Sequence, residues 1–172
     1  MAAPTIAPVR TAGVVTQPSS MLPGIPPFLF SVPEGWVLDE SPGAVATVHT
    51  AEPVDGFWIN AILSHDKVAR SVDFKQAAAV TWLRLAERAP DVQMTAEKFV
   101  RVGRLPVYVR SSEMTIVDTG RRVSQLHAIF FAPVRGPGKV VDFFQLVCTA
   151  PVEHVDEVAP AMIGMIRSFR FV

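Results

Sequence analysis

The segment at positions 140–149 is apolar on both of its alternating sides, and it constrains the fold more than any other part of the chain. One side carries Val141, Phe143 and Val147, and the other carries Phe144, Leu146 and Cys148. Successive residues of a strand point to opposite faces, so a strand of this composition has to be covered on both faces. The segment therefore predicts a central strand of a sheet, with a further layer of structure on each side.

A helix is predicted between positions 73 and 89. Either Ser71 or Asp73 can cap its amino end, and Pro90 ends it. One face of this helix is apolar at helical spacing, which is the pattern of a helix that packs on a sheet. The residues of that face are Phe74, Ala78, Trp82 and Leu85.

The rest of the body is typical of antiparallel strands joined by short turns. Strands are predicted at positions 57–63, 92–102, 107–117, 121–132 and 140–149, and a terminal strand or packed tail at positions 169–172. The polar stretch that contains His65 and Asp66 is predicted as a loop. Helical spacing from Val155 to Ile166 predicts a second helix, and Pro160 predicts either a kink there or two shorter helices. The sum is an α+β fold, in which an antiparallel β-sheet is flanked by helices.

Positions 1–27 are predicted to form a disordered or extended arm rich in proline and alanine, and positions 28–172 a single domain. Six of the fifteen prolines lie in this arm, and Arg10 is its only charged residue. Pro8 and Arg10 interrupt the apolar run that a signal peptide would need. We therefore expect a cytoplasmic protein if Met1 is the native start, and a cell-envelope or secreted protein if the natural amino terminus has been removed.

The charge and the cysteine content exclude several classes of protein. Sixteen basic residues balance sixteen acidic ones, which argues against binding of nucleic acid through a basic surface. Cys148 is the only cysteine, so the chain has no internal disulfide and no cysteine-rich zinc site. The four histidines lack the spacing of metal ligands, and the Gly136-Pro137-Gly138-Lys139 segment lacks the rest of a phosphate-binding loop. No metal, cofactor or transmembrane segment is predicted.

The order of several short motifs resembles a known family. Phe30-Ser31-Val32-Pro33-Glu34-Gly35-Trp36 is similar to the opening strand and turn of the PsbP-like α/β/α sandwich, and within that group to the actinobacterial LpqN/LpqT family. The likeness continues through the 73–89 helix, the hairpin at Gly103 and Pro106, and the closing Ile166-Arg167-Ser168-Phe169. It implies a domain without catalytic residues that binds another protein or an apolar ligand.

A polar patch is predicted on the hairpin formed by strands 107–117 and 121–132. If Asp118-Thr119-Gly120 forms a three-residue turn, Ser111 lies opposite His127 and Glu113 lies opposite Gln125. A two-residue turn would place Ser112 opposite His127 instead. These four residues of the first register, together with Trp58 and Trp82, are the candidate residues for binding a ligand or partner.

The main hypothesis is a non-catalytic binding or adaptor module that holds a partner protein and is linked to secretion or to the cell envelope, for example as a chaperone. One alternative is a carrier of an apolar small molecule or lipid. Another is a weak hydrolase that uses Ser111 and His127, which is disfavoured because no nucleophile motif surrounds the serine. A homodimer formed through a free sheet edge is also compatible with the sequence.

Overall fold

The computed structural model describes residues 24–134 and 136–172. Almost all of the predicted arm, residues 1–23, lies outside the described residues. The described elements follow the chain in the order β1 (Phe28–Leu29), β2 (Trp36–Asp39), β3 (Ala46–Thr50), β4 (Asn60–Ala69), α1 (Phe74–Arg88), β5 (Gln93–Val102), β6 (Leu105–Ile116), β7 (Arg121–Phe131), β8 (Val140–Pro151), a short 3-10 helix (Val152–His154), α2 (Val155–Ser168) and β9 (Arg170–Phe171).

Seven strands form one antiparallel sheet in the order β2-β3-β4-β8-β7-β6-β5. The two-sided apolar segment is β8, which pairs with β4 on one side and with β7 on the other. Phe144 is fully buried on one face of β8, and Phe143 is 9% exposed on the other. The prediction of a central, doubly covered strand is confirmed, and so is the α+β class.

One helix covers each face of the sheet. Met162, Met165 and Ile166 of α2 are buried against the face that carries Phe144 and Leu146. Ala77 and Ala78 of α1 pack on the opposite face, where the small side chains allow the helix to approach the strands closely. The protein is therefore a three-layer α/β/α sandwich.

A second, two-stranded sheet closes the α2 side. Strand β1 pairs with β9, and this pairing brings Phe28 against the ring of Phe169 at a centroid distance of 5.6 Å. Phe169 also stacks on Phe130 of β7 at 4.3 Å. The carboxyl-terminal segment, for which the sequence allows a strand or a packed tail, is thus a strand that aromatic contacts fix to the main core.

One prediction about an element boundary is wrong, and one of the two alternatives predicted at Pro160 is excluded. His65 and Asp66 lie inside β4, because that strand keeps pairing with β8 as far as Ala69. Helix α2 continues through Pro160 instead of dividing into two helices. A proline removes one backbone donor, and the apolar face of α2 offsets this loss by packing on the sheet. Neither α1 nor α2, the helices of the described part of the chain, is long and apolar enough to span a membrane.

Candidate functional site

The hairpin of β6 and β7 has neither of the two registers predicted from the sequence, the one with a three-residue turn or the one with a two-residue turn. Ile116 pairs with Arg121, so the turn takes in Val117 as well as Asp118-Thr119-Gly120. The Gly120 N–H donates to the Ile116 carbonyl oxygen at 2.8 Å, and Gly120 has φ 65°. Glycine adopts this left-handed conformation without strain, which allows the four-residue turn to close here.

The change of register separates the predicted polar patch. Ser111 pairs with Leu126 and Glu113 pairs with Ser124, on the face that α2 covers. Gln125 and His127 lie on the opposite face, toward α1. The predicted pairs of Ser111 with His127 and of Glu113 with Gln125 are therefore wrong, because a shift of one residue moves side chains to the other face.

Glu113 makes a surface ion pair on its own face of the sheet. Its carboxylate accepts from Arg122 Nη2 at 3.0 Å, and both side chains are partly exposed. An exposed pair of this kind contributes little to stability. Ser111 and Glu113 stay candidate binding residues, but they do not belong to the site that contains His127.

His127 is the centre of a buried hydrogen-bond network. Its Nε2 lies 3.0 Å from Gln125 Oε1, and its Nδ1 lies 3.0 Å from Gln145 Nε2. The amide nitrogen of Gln145 can only donate, so the network assigns the proton of the neutral imidazole to Nε2. Gln125 Nε2 donates in turn to Thr149 Oγ1 at 3.1 Å.

The same surroundings keep His127 neutral. Burial lowers the pKa of His127 to about 3, and the positive charges of Arg110 and Arg88 act in the same direction. An imidazole with this pKa does not carry a proton at neutral pH and is a poor match for general acid–base catalysis there.

No serine hydroxyl is hydrogen-bonded to His127 among the described residues, because two glutamine amides occupy both ring nitrogens. Ser112, on the same face, is fully buried, and its hydroxyl has no partner within the described chain. The nucleophile and base arrangement that the hydrolase alternative requires is not formed.

Arg110 is a buried residue of this face and is not among the candidates predicted from the sequence. It lies opposite His127 on β6 and is 1% exposed. Its Nη1 donates to the carbonyl oxygen of Ala78 in α1 at 2.8 Å, and its guanidinium lies 5.3 Å from the ring centroid of Trp82. Trp82 therefore contacts a buried cation under α1. Tyr108, Arg110 and Ser112 are spaced two apart in a predicted strand and therefore share one of its faces. This spacing is the sequence signal that places Arg110 at the site.

A long groove runs beside α1 on the side of β4. Two adjoining cavities of about 610 Å³ and 540 Å³ form it, and they share Asp66, Thr81, Arg84 and Phe143. We call this combined space the α1 groove. Its other principal lining residues are Ile62, Ser64, Val80, Arg88, Met114, Gln125, His127, Gln145 and Val147.

The α1 groove opens onto an uncovered part of the sheet. Ile62 is 39% exposed and Val37, on the same face, is 43% exposed. Trp58 lies just before β4 on this face, is 48% exposed, and contacts the ring of His49 edge-on at 5.1 Å. Of the predicted site residues, Gln125 and His127 thus line the groove. Trp58 lies near it, and Trp82, a residue of α1, contacts Arg110.

A second groove lies on the other face, between α2 and strands β5 and β6. We call it the α2 groove; its volume is about 390 Å³. Its lining is mostly aliphatic, with basic side chains at its margin. The aliphatic residues are Val100, Val102, Val109, Leu126, Ile163 and Ile166, and the basic ones include Lys98 and Arg167.

The described part of the chain gives no indication of metal or thiol chemistry. Residues 24–134 and 136–172 contain no group of three or more His, Cys, Asp or Glu side chains arranged to hold a metal ion. Cys148 is fully buried in β8, and burial raises the pKa of its thiol to about 12. A thiol in this state is inert at neutral pH.

The sequence matches no protein-family model and no curated protein. Solved structures do match. LpqN of Mycobacterium tuberculosis, described as involved in cell envelope biogenesis, has a TM-score of 0.69 at 17% identity, over 87% of this chain and 86% of that one. Cyanobacterial PsbP from Synechocystis sp. PCC 6803 has a TM-score of 0.58 at 13% identity, over 94% of this chain and 99% of that one.

The Ran-binding protein Mog1p of Saccharomyces cerevisiae has a TM-score of 0.54 at 13% identity, over 84% of this chain and 90% of that one. Identities this low establish a common architecture and nothing finer. The fold expected from the motif order is confirmed: this chain has the PsbP-like fold that LpqN also adopts.

Proposed function

We propose that this protein is a non-catalytic binding module that holds an extended segment of a partner polypeptide in the α1 groove. The observation that carries the proposal is the shape of the groove, which follows α1 on its β4 side. A helix of this length, 15 residues, spans about 22 Å, enough for about six residues of extended chain. A compact small ligand would not need a groove of this length.

The lining of the α1 groove favours a particular chemistry in the bound segment. Val80, Ile62 and Val147 offer apolar contacts for alternate side chains of an extended peptide. Arg84 and Arg88 lie on the α1 wall, where acidic groups of a partner could meet them. The Gln125 amide and the amide nitrogen of Gln145 already have partners within the protein, so binding does not have to satisfy these groups.

The lack of a formed Ser–His pair among the described residues and the neutral state of His127 support a binding role without catalysis. Mog1p, which shares the fold, is described as a Ran-binding protein, and LpqN as involved in cell envelope biogenesis. These descriptions support the search for a protein partner, and that of LpqN makes proteins of the cell envelope the first ones to examine.

Site-specific photo-crosslinking in the native host tests this proposal. Val80 lines the α1 groove, whereas Leu83, on the same helix, does not line it and is also exposed. A photo-reactive residue at Val80 is expected to capture a discrete partner, and the same residue at Leu83 is not.

A charge reversal completes the test. Arg84→Glu is expected to abolish the crosslink from Val80, and Arg167→Glu on α2 is the matched control that should leave it intact. Equal capture at Val80 and Leu83, or capture that Arg84→Glu leaves unchanged, would contradict the proposal.

The α2 groove favours a second candidate function, the carriage of an apolar small molecule. Its aliphatic lining and its volume of about 390 Å³ fall in the range of ligand sites. Native mass spectrometry of the protein purified from its host should then show a bound mass, and Ile163→Glu should remove it. A spectrum with only the bare chain would reject this candidate.

A further inference from the structure

Strand β5 is an edge of the seven-stranded sheet, and β6 is its partner in that sheet. Residues 93–99 of this strand are all exposed. A β-bulge between Met94 and Ala96 interrupts its start, so its regular part runs from Ala96 to Val102 and is centred on Phe99. An exposed edge of this length is able to pair with another strand.

The backbone groups available on this edge follow from the β5–β6 turn. Val102 pairs with Leu105 across a two-residue turn, and the pair that flanks such a turn is hydrogen-bonded. Hydrogen-bonded pairs alternate along an antiparallel ladder. The N–H and C=O groups of Glu97, Phe99 and Arg101 therefore point away from β6, toward the open side of the sheet.

The side chains of the same three residues share the α1 face of the sheet. Phe99 is 62% exposed, although its ring contacts Phe74 at 5.7 Å and Tyr108 at 5.2 Å. Glu97 is held in place by the Tyr108 hydroxyl, which donates to it at 2.5 Å. Within the described chain, Arg101 makes no ion pair.

We propose that β5 pairs with β5 of a second copy of this chain in an antiparallel, two-fold symmetric dimer, with Phe99 on the symmetry axis. In this register Glu97 lies opposite Arg101 of the second copy, and Arg101 lies opposite its Glu97. The two aromatic rings meet between two ion pairs. About six backbone hydrogen bonds form between the outward groups, and the two sheets join into one.

The pattern of charges selects a second copy over an unrelated strand. Glu97 lies two positions before the exposed Phe99, and Arg101 lies two positions after it. When a second copy of this strand runs antiparallel with Phe99 opposite Phe99, each acidic residue therefore faces a basic one. On the other face of the strand, Lys98 lies opposite Val100 of the second copy, so the register opposes no like charges. This edge lies on the other side of α1 from the α1 groove, so the dimer and the partner site can be tested separately.

Sedimentation equilibrium of the full chain over micromolar to near-millimolar concentrations is the first test. A reversible monomer–dimer equilibrium is expected for the natural sequence. Arg101→Glu and Glu97→Lys each place like charges opposite one another twice, and each should weaken the dimer by about tenfold or more. Arg170→Glu, a charge reversal on β9, is the matched control and should not weaken it.

Mixing the two weakened variants tests the register itself. In a mixed dimer, the lysine introduced by Glu97→Lys faces the glutamate introduced by Arg101→Glu, and the unchanged Glu97 of one chain faces the unchanged Arg101 of the other. Opposite charges meet at both sites, so the heterodimer should form at close to the natural affinity. Circular dichroism of each variant establishes that it is folded before mixing.

A cysteine scan gives an independent readout of the same register. The Cα atoms of a hydrogen-bonded pair are about 5.5 Å apart, within the range that a disulfide spans. Phe99→Cys should therefore form a disulfide-linked dimer on oxidation. Arg101→Cys should not, because the two cysteines would be four residues out of register. A monomer at every concentration, a dimer that resists both charge reversals, or equal crosslinking at both positions would overturn the proposal.

Discussion

Two buried polar residues define the α1 face at the scale of single side chains. His127 and Arg110 lie opposite each other under α1, and both are almost completely buried. A buried cation beside an imidazole opposes protonation of the ring, and two glutamine amides hold the neutral form by hydrogen bonds. The imidazole of His127 is consequently uncharged near neutral pH.

The lowered pKa of His127 predicts a dependence of stability on pH. The unfolded chain binds a proton at this histidine below about pH 6.5, whereas the native protein does so only near its pKa of about 3. Stability should therefore fall as the pH drops through this window, by up to about 1.4 kcal/mol per pH unit. Urea unfolding should be measured at several pH values between about pH 4 and pH 7. The free energy of unfolding should change less steeply with pH for His127→Gln than for the natural protein. An equal dependence on pH in the two proteins would contradict the lowered pKa of His127.

His154 should show the opposite dependence. A hydrogen bond to the Asp55 carboxylate at 2.7 Å raises the pKa of His154, against a smaller opposing effect of desolvation. Its contribution is fully present below the unfolded pKa and is lost as the pH rises through the folded value. The stability difference between the natural protein and His154→Gln should thus be larger at about pH 5.5 than at about pH 8.5. A difference that grows with pH would refute this.

At the scale of elements, the start of α1 is fixed by a complete capping box. The Asp73 side chain accepts from the Gln76 backbone N–H at 2.8 Å, and the Gln76 side chain accepts from the Asp73 N–H at 3.0 Å. Both bonds satisfy backbone donors that a helix leaves open. The structure thereby chooses Asp73 over Ser71 as the cap.

Removal of that cap has a defined expected cost. Asp73→Ala should lower the free energy of unfolding by about 1 kcal/mol, because the side chain at the centre of the box is lost. Ser71→Ala is the control, since this exposed serine takes no part in the cap, and it should change stability by less than about 0.5 kcal/mol. Chemical denaturation of the two variants makes the comparison, and similar losses in both would show that Asp73 has no special role.

At the scale of the whole molecule, Phe169 joins elements that are distant in the sequence. It is 1% exposed and contacts Phe28 of β1, Phe130 of β7 and Phe144 of β8. The two-stranded sheet is therefore attached to the centre of the larger one. Such a residue contributes to the cooperative stability of the whole domain.

Truncation of Phe169 should be among the most destabilising single changes in this protein. Phe169→Ala is expected to cost about 3–5 kcal/mol, from lost burial and the cavity left behind. Leu38→Ala, at a residue that is 65% exposed, should change stability little. Thermal unfolding should show a large drop in Tm for the first variant only, and a small change in both would mean that the terminal strands are not coupled to the core.

Much of the architecture could be predicted from local signals. The strand at Phe143 and Phe144 and the helix between Asp73 and Pro90 were both predicted correctly. The polar half of β4 was not, because His65 and Asp66 carry no strand signal of their own and are held in the strand by pairing with β8.

The sequence by itself determined most of the strands and helices and that one strand has to be central, because apolar periodicity, caps and prolines act within a few residues. Only the tertiary structure decided which side chains share a face. Whether Val117 belongs to β6 or to the turn has little effect on local propensity, yet it moves Ser111 away from His127 and places Arg110 opposite it. The site depends on that register, and pairing and packing across the whole sheet select it.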